Sequence, residues 1–194
     1  DGRDCDPKSG LSFIKDLEGH LGKTVGKIAT LSGRYYAMDR DKRWERVKFA
    51  YDALVKGVGE FNTDAVAAVE RSYENNLTDE FIKPTVLLNK DRQPVGSIKD
   101  GDVAICFNFR TDRCREITEV LTQMDFPEFS MKKLSLHYTT MTQYDQSFQN
   151  VDVVFENDDL VAINKPTGLL TIPDREQSEK SLKEYLKEIY GDIF

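Results

Sequence analysis

The stretch "VAICFNFRTDRCREITEVLTQM", residues 103–124, changes its hydrophobic period part-way along. Its first part, "VAICFNF", is rich in β-branched and aromatic residues and predicts a strand, with Cys106 as a core side chain. The second part, "DRCREITEVLTQM", has apolar residues at helical spacing and predicts a helix. A strand that passes through an arginine-containing turn into a helix indicates an α/β domain.

The segments before this stretch also alternate between helices and strands. Residues 10–21 predict an amphipathic helix, and "GKIATLSG" predicts a short buried strand that ends in a glycine turn. A helix that begins near Asp41 is expected to stop at Gly57, and the next helix is expected to have Asn62 or Thr63 as its cap.

A hairpin and further strands complete the predicted fold. "PTVLL" and "PVGSI" flank "NKDRQ", whose residues suit a hairpin loop, and "KLSLHYTTM" predicts a strand. We therefore expect an α/β fold, a layered sheet with flanking helices. In such folds ligands bind at the carboxyl ends of the strands.

Composition limits the classes of partner. The chain has 194 residues, 39% of them hydrophobic, which is enough for one core and a second small unit. Its net charge of −7 argues against a nucleic-acid partner, and it has no long apolar run that would predict a membrane span. Three cysteines without CxxC spacing and no signal-peptide pattern predict reduced thiols in a cytoplasmic protein. His20 and His137 lack ligand-like neighbours, so no metal site is predicted.

Arginines that follow predicted strands and turns are the candidate binding residues. They are Arg3 in "DGRD", Arg34 and Arg40 in "SGRYYAMDRD", and Arg110 and Arg113 in "FNFRTDR", the last two around the first turn of the predicted helix. Guanidinium groups bind carboxylates and phosphates bidentately, and a helix N-terminus also favours an anion. Asp39 or Asp41 is placed to orient a guanidinium of the middle cluster. The sequence predicts a site for a small anion.

Each arginine cluster, taken alone, is equally consistent with an exposed ion pair. Arg and Asp that are close in a loop often pair in solvent, at roughly a few tenths of a kcal/mol. The presence of three clusters at predicted loops or strand ends favours a site. Tyr35, Tyr36 and Trp44 are expected to pack rather than to stack on bases, because Trp44 fits a helical stripe.

Five segments of the chain together resemble a known family. They are "DGRD", "KIATLSGRYYAMDRDKRWERV", "TDEFIKPTV", "IKDGDVAICFNFRTDRCREIT" and "YTTMTQYD". In this order they resemble the inserted substrate-binding domain of cofactor-independent phosphoglycerate mutases, from Asp1 to about Leu160. The resemblance implies an isomerase of glycolysis that interconverts 3-phosphoglycerate and 2-phosphoglycerate.

The resemblance also implies roles for single residues. Asp4 would be catalytic, because it would bond a substrate hydroxyl and help to reorient the glycerate. The substrate-binding set would be Arg3, Asp4, Arg34, Arg40, Arg110 and Arg113. In this family a phosphatase-like domain carries two manganese ions and a transiently phosphorylated serine, and members are usually monomeric. Motifs of that domain are absent from the sequence, so we expect this chain to bind no manganese and to be inactive alone.

The end of the chain resembles a different family. "LVAINKPTGLLTIP" is similar to the opening strand and loop of RluA-type pseudouridine synthases, and "SLKEYLKEIYG" to their next helix. A plain strand and turn is the alternative interpretation. We predict that residues 1–157 are an incomplete mutase substrate-binding domain and that residues 158–194 are a short αβ fragment of the pseudouridine-synthase type.

Three hypotheses about function remain open from the sequence. The first is a mutase fragment that binds 3-phosphoglycerate and 2-phosphoglycerate through its arginines. The second is an RNA pseudouridine synthase fusion whose N-terminal region is a binding module. The third is a non-catalytic fragment that pairs with a separately encoded phosphatase-like chain. A start at Asp1 without methionine predicts a piece of a longer protein.

Overall fold

A computed structural model describes residues 2–3 and 5–152 of the chain. Asp4 and the predicted fragment 158–194 lie outside the described residues. The helices are α1 Gly10–Leu21, α2 Arg34–Ala37, α3 Trp44–Tyr51, α4 Ala65–Glu74 and α5 Arg115–Thr122. The strands are β1 Thr30–Leu31, β2 Glu60–Asn62, β3 Thr85–Leu87, β4 Val103–Cys106, β5 His137–Thr140 and β6 Val151–Asp152. The α/β class is confirmed.

Two small sheets, rather than one continuous layer, form the described fold. The first has the order β1-β3-β2, in which β1 is antiparallel and β2 parallel to β3. The second has the order β4-β5-β6 and is parallel throughout. Each sheet is flanked by helices, because parallel neighbours need a crossover connection.

The main core lies where α3 and α5 pack beside β5. Its buried members are Val47, Ala50, Tyr51, Cys114, Ile117, Val120, Leu121, Met131, Tyr138 and Tyr144. Tyr51 also holds the loop before β5, because its hydroxyl donates to the Lys132 carbonyl at 2.5 Å and accepts from the Lys132 N–H at 3.0 Å. Trp44 packs on Phe126 with ring centroids 4.5 Å apart, so its role here is packing.

The ends of the helices agree with the sequence at some positions and differ at others. The first helix begins and ends at Gly10 and Leu21, as predicted. The helical segment that starts at Trp44 continues as a π-helical turn over Asp52–Lys56 and stops at Gly57, whose φ of 63° is left-handed. The predicted cap of α4 was wrong.

Asp64, not Asn62 or Thr63, caps α4. Its Oδ1 accepts a hydrogen bond from the Ala67 N–H at 2.7 Å. The Asn62 side chain accepts from the Thr63 and Asp64 N–H groups instead, and so caps the turn that precedes the helix. The hairpin loop is present, with a bridge between Leu88 and Pro94, although "PVGSI" forms no regular strand.

Strand β4 buries less than its sequence suggested. Ala104 and Cys106 are half-buried on its inner face, while Val103 and Ile105 on the other face are 73% and 66% exposed. Cys106 is thus at the margin of the core, and Cys114 is the buried thiol. No described helix combines the length and the hydrophobicity that a bilayer crossing needs.

A buried carboxylate fixes the N-terminal segment beside helix α4. Asp79 is 4% exposed; its Oδ2 accepts from the Gly10 N–H at 2.8 Å, and its Oδ1 accepts from the Tyr73 hydroxyl. The Asp79 N–H donates to the Pro7 carbonyl at 2.9 Å. Burial, together with the Asp79 carboxylate, raises the pKa of Tyr73 to about 12, so this hydroxyl stays a donor at neutral pH.

We expect Asp79→Ala to lower the free energy of unfolding by about 2 kcal/mol, because it leaves the Gly10 N–H and the Tyr73 hydroxyl without their acceptor. Thermal unfolding followed by circular dichroism measures this effect. The matched control is Asp91→Ala in the exposed hairpin loop, which should change stability by less than about 0.5 kcal/mol. Equal losses in the two variants would contradict the anchoring role of Asp79.

Candidate anion-binding site

Arginines from separate parts of the chain meet in one pocket of about 120 Å³. Among the described residues its lining includes Arg3, Arg34, Arg40, Arg43, Arg46 and Arg113, together with the carboxylates Asp39, Asp41 and Glu80. Six arginines against three carboxylates make this pocket positive in a chain whose net charge is −7. Of the predicted binding residues, Arg110 is not part of the lining, and Asp4 lies outside the described residues.

A glycine places Arg34 in this pocket. Gly33 is the N-cap of α2, and its N–H donates to the Ile82 carbonyl at 2.8 Å. A Cβ atom at Gly33 would come within 2.4 Å of the Glu80 carbonyl oxygen, so only glycine allows this close approach. Arg34 follows directly and is buried, with 7% exposure. Arg3 reaches the same region through an ion pair of 3.8 Å with Glu80.

Asp39 organises the turn between α2 and α3. Its Oδ1 accepts from the Asp41 N–H at 2.8 Å and the Arg43 N–H at 3.1 Å. Its Oδ2 lies 3.4 Å from Arg43 Nη1 and 3.6 Å from Arg46 Nη1. Burial by itself would raise the pKa of Asp39, but the hydrogen bonds from Asp41, Arg43 and Glu116 outweigh burial and lower it.

Asp39 and Asp41 were predicted to orient Arg34 or Arg40, but the arginines that they pair with are Arg43 and Arg46. Asp41 pairs with Arg43 at 2.6 Å, and neither carboxylate is paired with Arg40. Sequence reasoning missed Arg43 and Arg46 as part of the site. Their spacing from Asp39 across the start of α3 is a signal that could have found them, because residues about one turn apart share a helix face. Arg46 also lies over the Tyr35 ring, 3.9 Å from its centroid.

Asp112 links the two halves of the site. Arg40 Nη1 donates to Asp112 Oδ2 at 2.8 Å, and Arg110 Nε donates to Asp112 Oδ1 at 3.3 Å. The hydrogen bond from Arg40, followed by that from Arg110, lowers the pKa of Asp112 to about 2. Arg110 is thus held beside the pocket by Asp112, with an exposed side chain.

The sequence predicted Arg110 and Arg113 around the first turn of a helix, but both residues precede the helix. Helix α5 begins only at Arg115, because side chains hold residues 107–114 in another conformation. Asn108 Oδ1 accepts from the Arg110 N–H at 2.9 Å, and the Tyr144 hydroxyl donates to the Asn108 carbonyl at 2.6 Å. We call residues 107–113 the arginine loop.

Arg113 is a half-buried cation of the pocket. One of its terminal nitrogens, Nη1, donates to the Met38 carbonyl at 3.1 Å, while its buried Nε has no hydrogen-bond partner in the described part of the chain. Burial, followed by the charges of Arg34 and Arg40, lowers the pKa of Arg113. Both observations indicate a guanidinium whose charge the neighbouring residues do not fully compensate. An anion in the pocket would compensate it.

Comparison with known proteins identifies the family of the chain. A family model described as the N-terminus of BPG-independent PGAM matches residues 1–146. The chain belongs to this family. It is 56% identical over 160 residues to the 2,3-bisphosphoglycerate-independent phosphoglycerate mutase of Flavobacterium johnsoniae, which covers 82% of this chain and 32% of that protein. It is 55% identical over 162 residues to the mutase of Bacteroides fragilis, covering 83% of this chain and 31% of that protein.

A solved structure of a phosphoglycerate mutase supports the same assignment. The Leishmania mexicana phosphoglycerate mutase matches with a TM-score of 0.69 and 32% sequence identity, over 75% of this chain and 28% of that one. The recognition of the cofactor-independent phosphoglycerate mutase family from sequence is therefore confirmed. The chain spans about a third of the length of the curated relatives that it matches.

The donor groups of the described residues bear on metal binding. Among residues 2–3 and 5–152, no three His, Cys, Asp or Glu side chains are grouped so that they could hold a metal ion. The acidic residues of the arginine pocket are engaged with guanidinium and backbone N–H groups instead. The described residues therefore do not fit the manganese pair of the mutase family.

Glu116 of helix α5 makes the stability of the fold depend on pH. It is 4% exposed, and its Oε1 accepts from the Lys42 N–H at 2.7 Å. Burial, with the charge of Asp39 and against the Lys42 hydrogen bond, raises the pKa of Glu116 to about 7. The folded chain therefore binds more protons than the unfolded one between pH 4.5 and 7, so the contribution of Glu116 to stability falls as pH rises through that window.

We expect Glu116→Gln to unfold a few degrees higher than the wild type at pH 8 and at nearly the same temperature at pH 5, because the amide stays neutral and keeps an acceptor for Lys42. Thermal melts at half-unit pH steps measure the difference. Glu128→Gln at an exposed position is the control and should follow the wild type at every pH. If the difference does not grow with pH, Glu116 does not titrate in this window.

Proposed function

We propose that this chain is the substrate-binding part of a cofactor-independent phosphoglycerate mutase, the isomerase that interconverts 3-phosphoglycerate and 2-phosphoglycerate in glycolysis. The observation that carries the proposal is the arginine pocket, in which the half-buried Arg113 lies beside Arg34 and Arg40 and its buried Nε has no hydrogen-bond partner among the described residues. Family membership supports the choice of anion, since the relatives are named as 2,3-bisphosphoglycerate-independent phosphoglycerate mutases.

Both charged ends of the substrate suit the guanidinium donors of the site. A phosphoglycerate carries a carboxylate and a phosphate, both of which accept bidentate hydrogen bonds from guanidinium groups. Arg3, Arg34, Arg40 and Arg113 all line the pocket. Arg110 lies on the far side of Asp112 and would contact a ligand that replaces this carboxylate as its partner.

The catalytic step depends on residues that the described structure does not contain. In the proposal Asp4 bonds a hydroxyl of the glycerate and helps to reorient it, and its neighbour Arg3 reaches the pocket. Mutase activity needs residues outside this chain, since the chain covers 32% of a relative's length. Those residues would bind the two manganese ions of the family. The protein would be cytoplasmic.

The predicted domain division stays a proposal. Residues 1–157 would form the substrate-binding domain, and the family model matches residues 1–146 of it. The pseudouridine-synthase-like fragment at 158–194 lies outside the described residues. The pocket favours the mutase over the RNA hypothesis, because its arginines enclose a space for one small anion rather than line an extended basic face.

Titration with 3-phosphoglycerate, followed by the arginine Nε–H signals in NMR, tests the proposal. Half of a bipartite site should bind with a dissociation constant of roughly a millimolar. The signal of Arg113 should move, and Arg113→Gln and Arg40→Gln should each weaken binding at least about tenfold, because each loses a charge-assisted hydrogen bond.

Arg92→Gln is the matched control. It removes one positive charge from the exposed hairpin loop, away from the pocket, and should leave the dissociation constant within about twofold of the wild type. Circular dichroism confirms that every variant is folded. The proposal fails if no arginine signal of the folded wild type moves at several millimolar ligand, or if Arg92→Gln loses as much affinity as Arg113→Gln.

A further inference from the structure

Two cysteines border the arginine loop and have no part in the proposed anion site. Cys106 is the last residue of β4, and Cys114 is the N-cap of α5. Cys114 is buried and Cys106 is half-buried. The third thiol, Cys5, is exposed and lies near the start of the chain. The loop that carries Arg110 and Arg113 therefore begins and ends at a thiol.

The folded chain brings these two thiols into one small polar cluster. The Tyr144 hydroxyl lies 3.4 Å from Cys106 Sγ and donates to the Asn108 carbonyl at 2.6 Å. Asn108 Nδ2 lies 3.0 Å from Cys114 Sγ, to which it donates. Tyr144 and Asn108, which are bonded to each other, thus each contact one of the two sulfurs. Two thiols that lie in one polar cluster, at the two ends of one short loop, are placed to approach each other and form a disulfide.

The two thiols differ in reactivity. The hydrogen bond from Cys114, with help from Tyr144 and Tyr138 and against burial, lowers the pKa of Cys106 to about 6. The same hydrogen bond, followed by burial, raises the pKa of Cys114. At neutral pH the pair therefore consists of a thiolate at Cys106, which is the nucleophile, and a proton-carrying thiol at Cys114, which must lose its proton as it attacks.

We propose that Cys106 and Cys114 are a reversible oxidation site, at which a hydroperoxide converts the two thiols into a disulfide that closes the arginine loop. The Cys106 thiolate attacks one peroxide oxygen and breaks the O–O bond, which gives a sulfenic acid and, after protonation of the leaving oxygen, water or an alcohol. Cys114 then attacks the Cys106 sulfur and displaces the hydroxyl group, which leaves as a second water with the Cys114 proton. Two thiols are oxidised and one peroxide is reduced.

Oxidation would act on the loop because both sulfurs take part in holding it. The disulfide removes the thiol contacts that Asn108 and Tyr144 now make, and these two residues also fix the backbone at Asn108 and Arg110. The position of Arg113, which precedes Cys114, then changes. Formation of the disulfide is independent of the proposed function, while its effect on ligand binding rests on it.

Peptide mapping of the whole 194-residue chain tests the site. After treatment with hydrogen peroxide and alkylation of the remaining thiols, trypsin should release the peptide DGDVAICFNFR, residues 100–110, linked to the dipeptide CR, residues 114–115. Dithiothreitol should reverse the link. The rate should rise roughly tenfold between pH 5 and 7 and level off above pH 7, because the Cys106 thiolate is then fully formed.

Three variants control the mapping. Cys5→Ser should form the linked peptide at the wild-type rate, while Cys106→Ser and Cys114→Ser should form none, with circular dichroism as the check on folding. The proposal is overturned if peroxide leaves both thiols open to alkylation in the folded wild type. It is overturned as well if Cys106 is oxidised to sulfinic acid without forming the link.

The arginine signals separate this inference from the proposed function. Without any ligand, the Nε–H signals of Arg110 and Arg113 should differ between the oxidised and reduced chain; identical signals would contradict an effect on the loop. In the 3-phosphoglycerate titration, oxidation should change the dissociation constant at least about threefold. Linked peptide and shifted signals without binding in either state would contradict the proposed function and leave the oxidation site standing.

Discussion

The Asp39 carboxylate is the interaction on which the arginine pocket depends. A buried carboxylate is costly unless it is paired, and Asp39 is matched by two backbone N–H groups and by Arg43 and Arg46. A hydrogen bond from the Lys42 N–H to Glu116 joins the same turn to helix α5, which is distant in sequence. Together these bonds fix the turn that presents Arg40 against the helix that follows Arg113.

The pocket combines this anchor with positive charge that is left uncompensated. Arg113 is half-buried, and partial burial, followed by repulsion from Arg34 and Arg40, lowers its pKa. Asp112 relieves part of the repulsion from the solvent side through its pairs with Arg40 and Arg110. Such a cluster is destabilising in itself and is typical of a binding site, where the ligand supplies the missing counter-charge.

Local patterns predicted the elements better than their ends. The first helix keeps its predicted bounds, because its apolar residues recur at helical spacing over three turns. The predictions of the α4 cap and of the α5 start were wrong for a common reason. At each place an asparagine, Asn62 or Asn108, binds backbone N–H groups before the helix and delays its start. Several residue types suit a cap, so the sequence does not show which of them takes the bond.

The sequence by itself determined the α/β class, the family and the arginine clusters, because these depend on periodicity and on long motifs. Only the tertiary structure decided which arginines share a pocket. Arg40 and Asp112 are 72 residues apart, and Arg113 and Met38 are 75 apart, so their contacts exist only after α3 packs on α5. The same packing set Arg110 outside the pocket lining and brought Arg43 and Arg46 into it. Contacts over such separations follow from the burial of a shared core, and no local pattern encodes them.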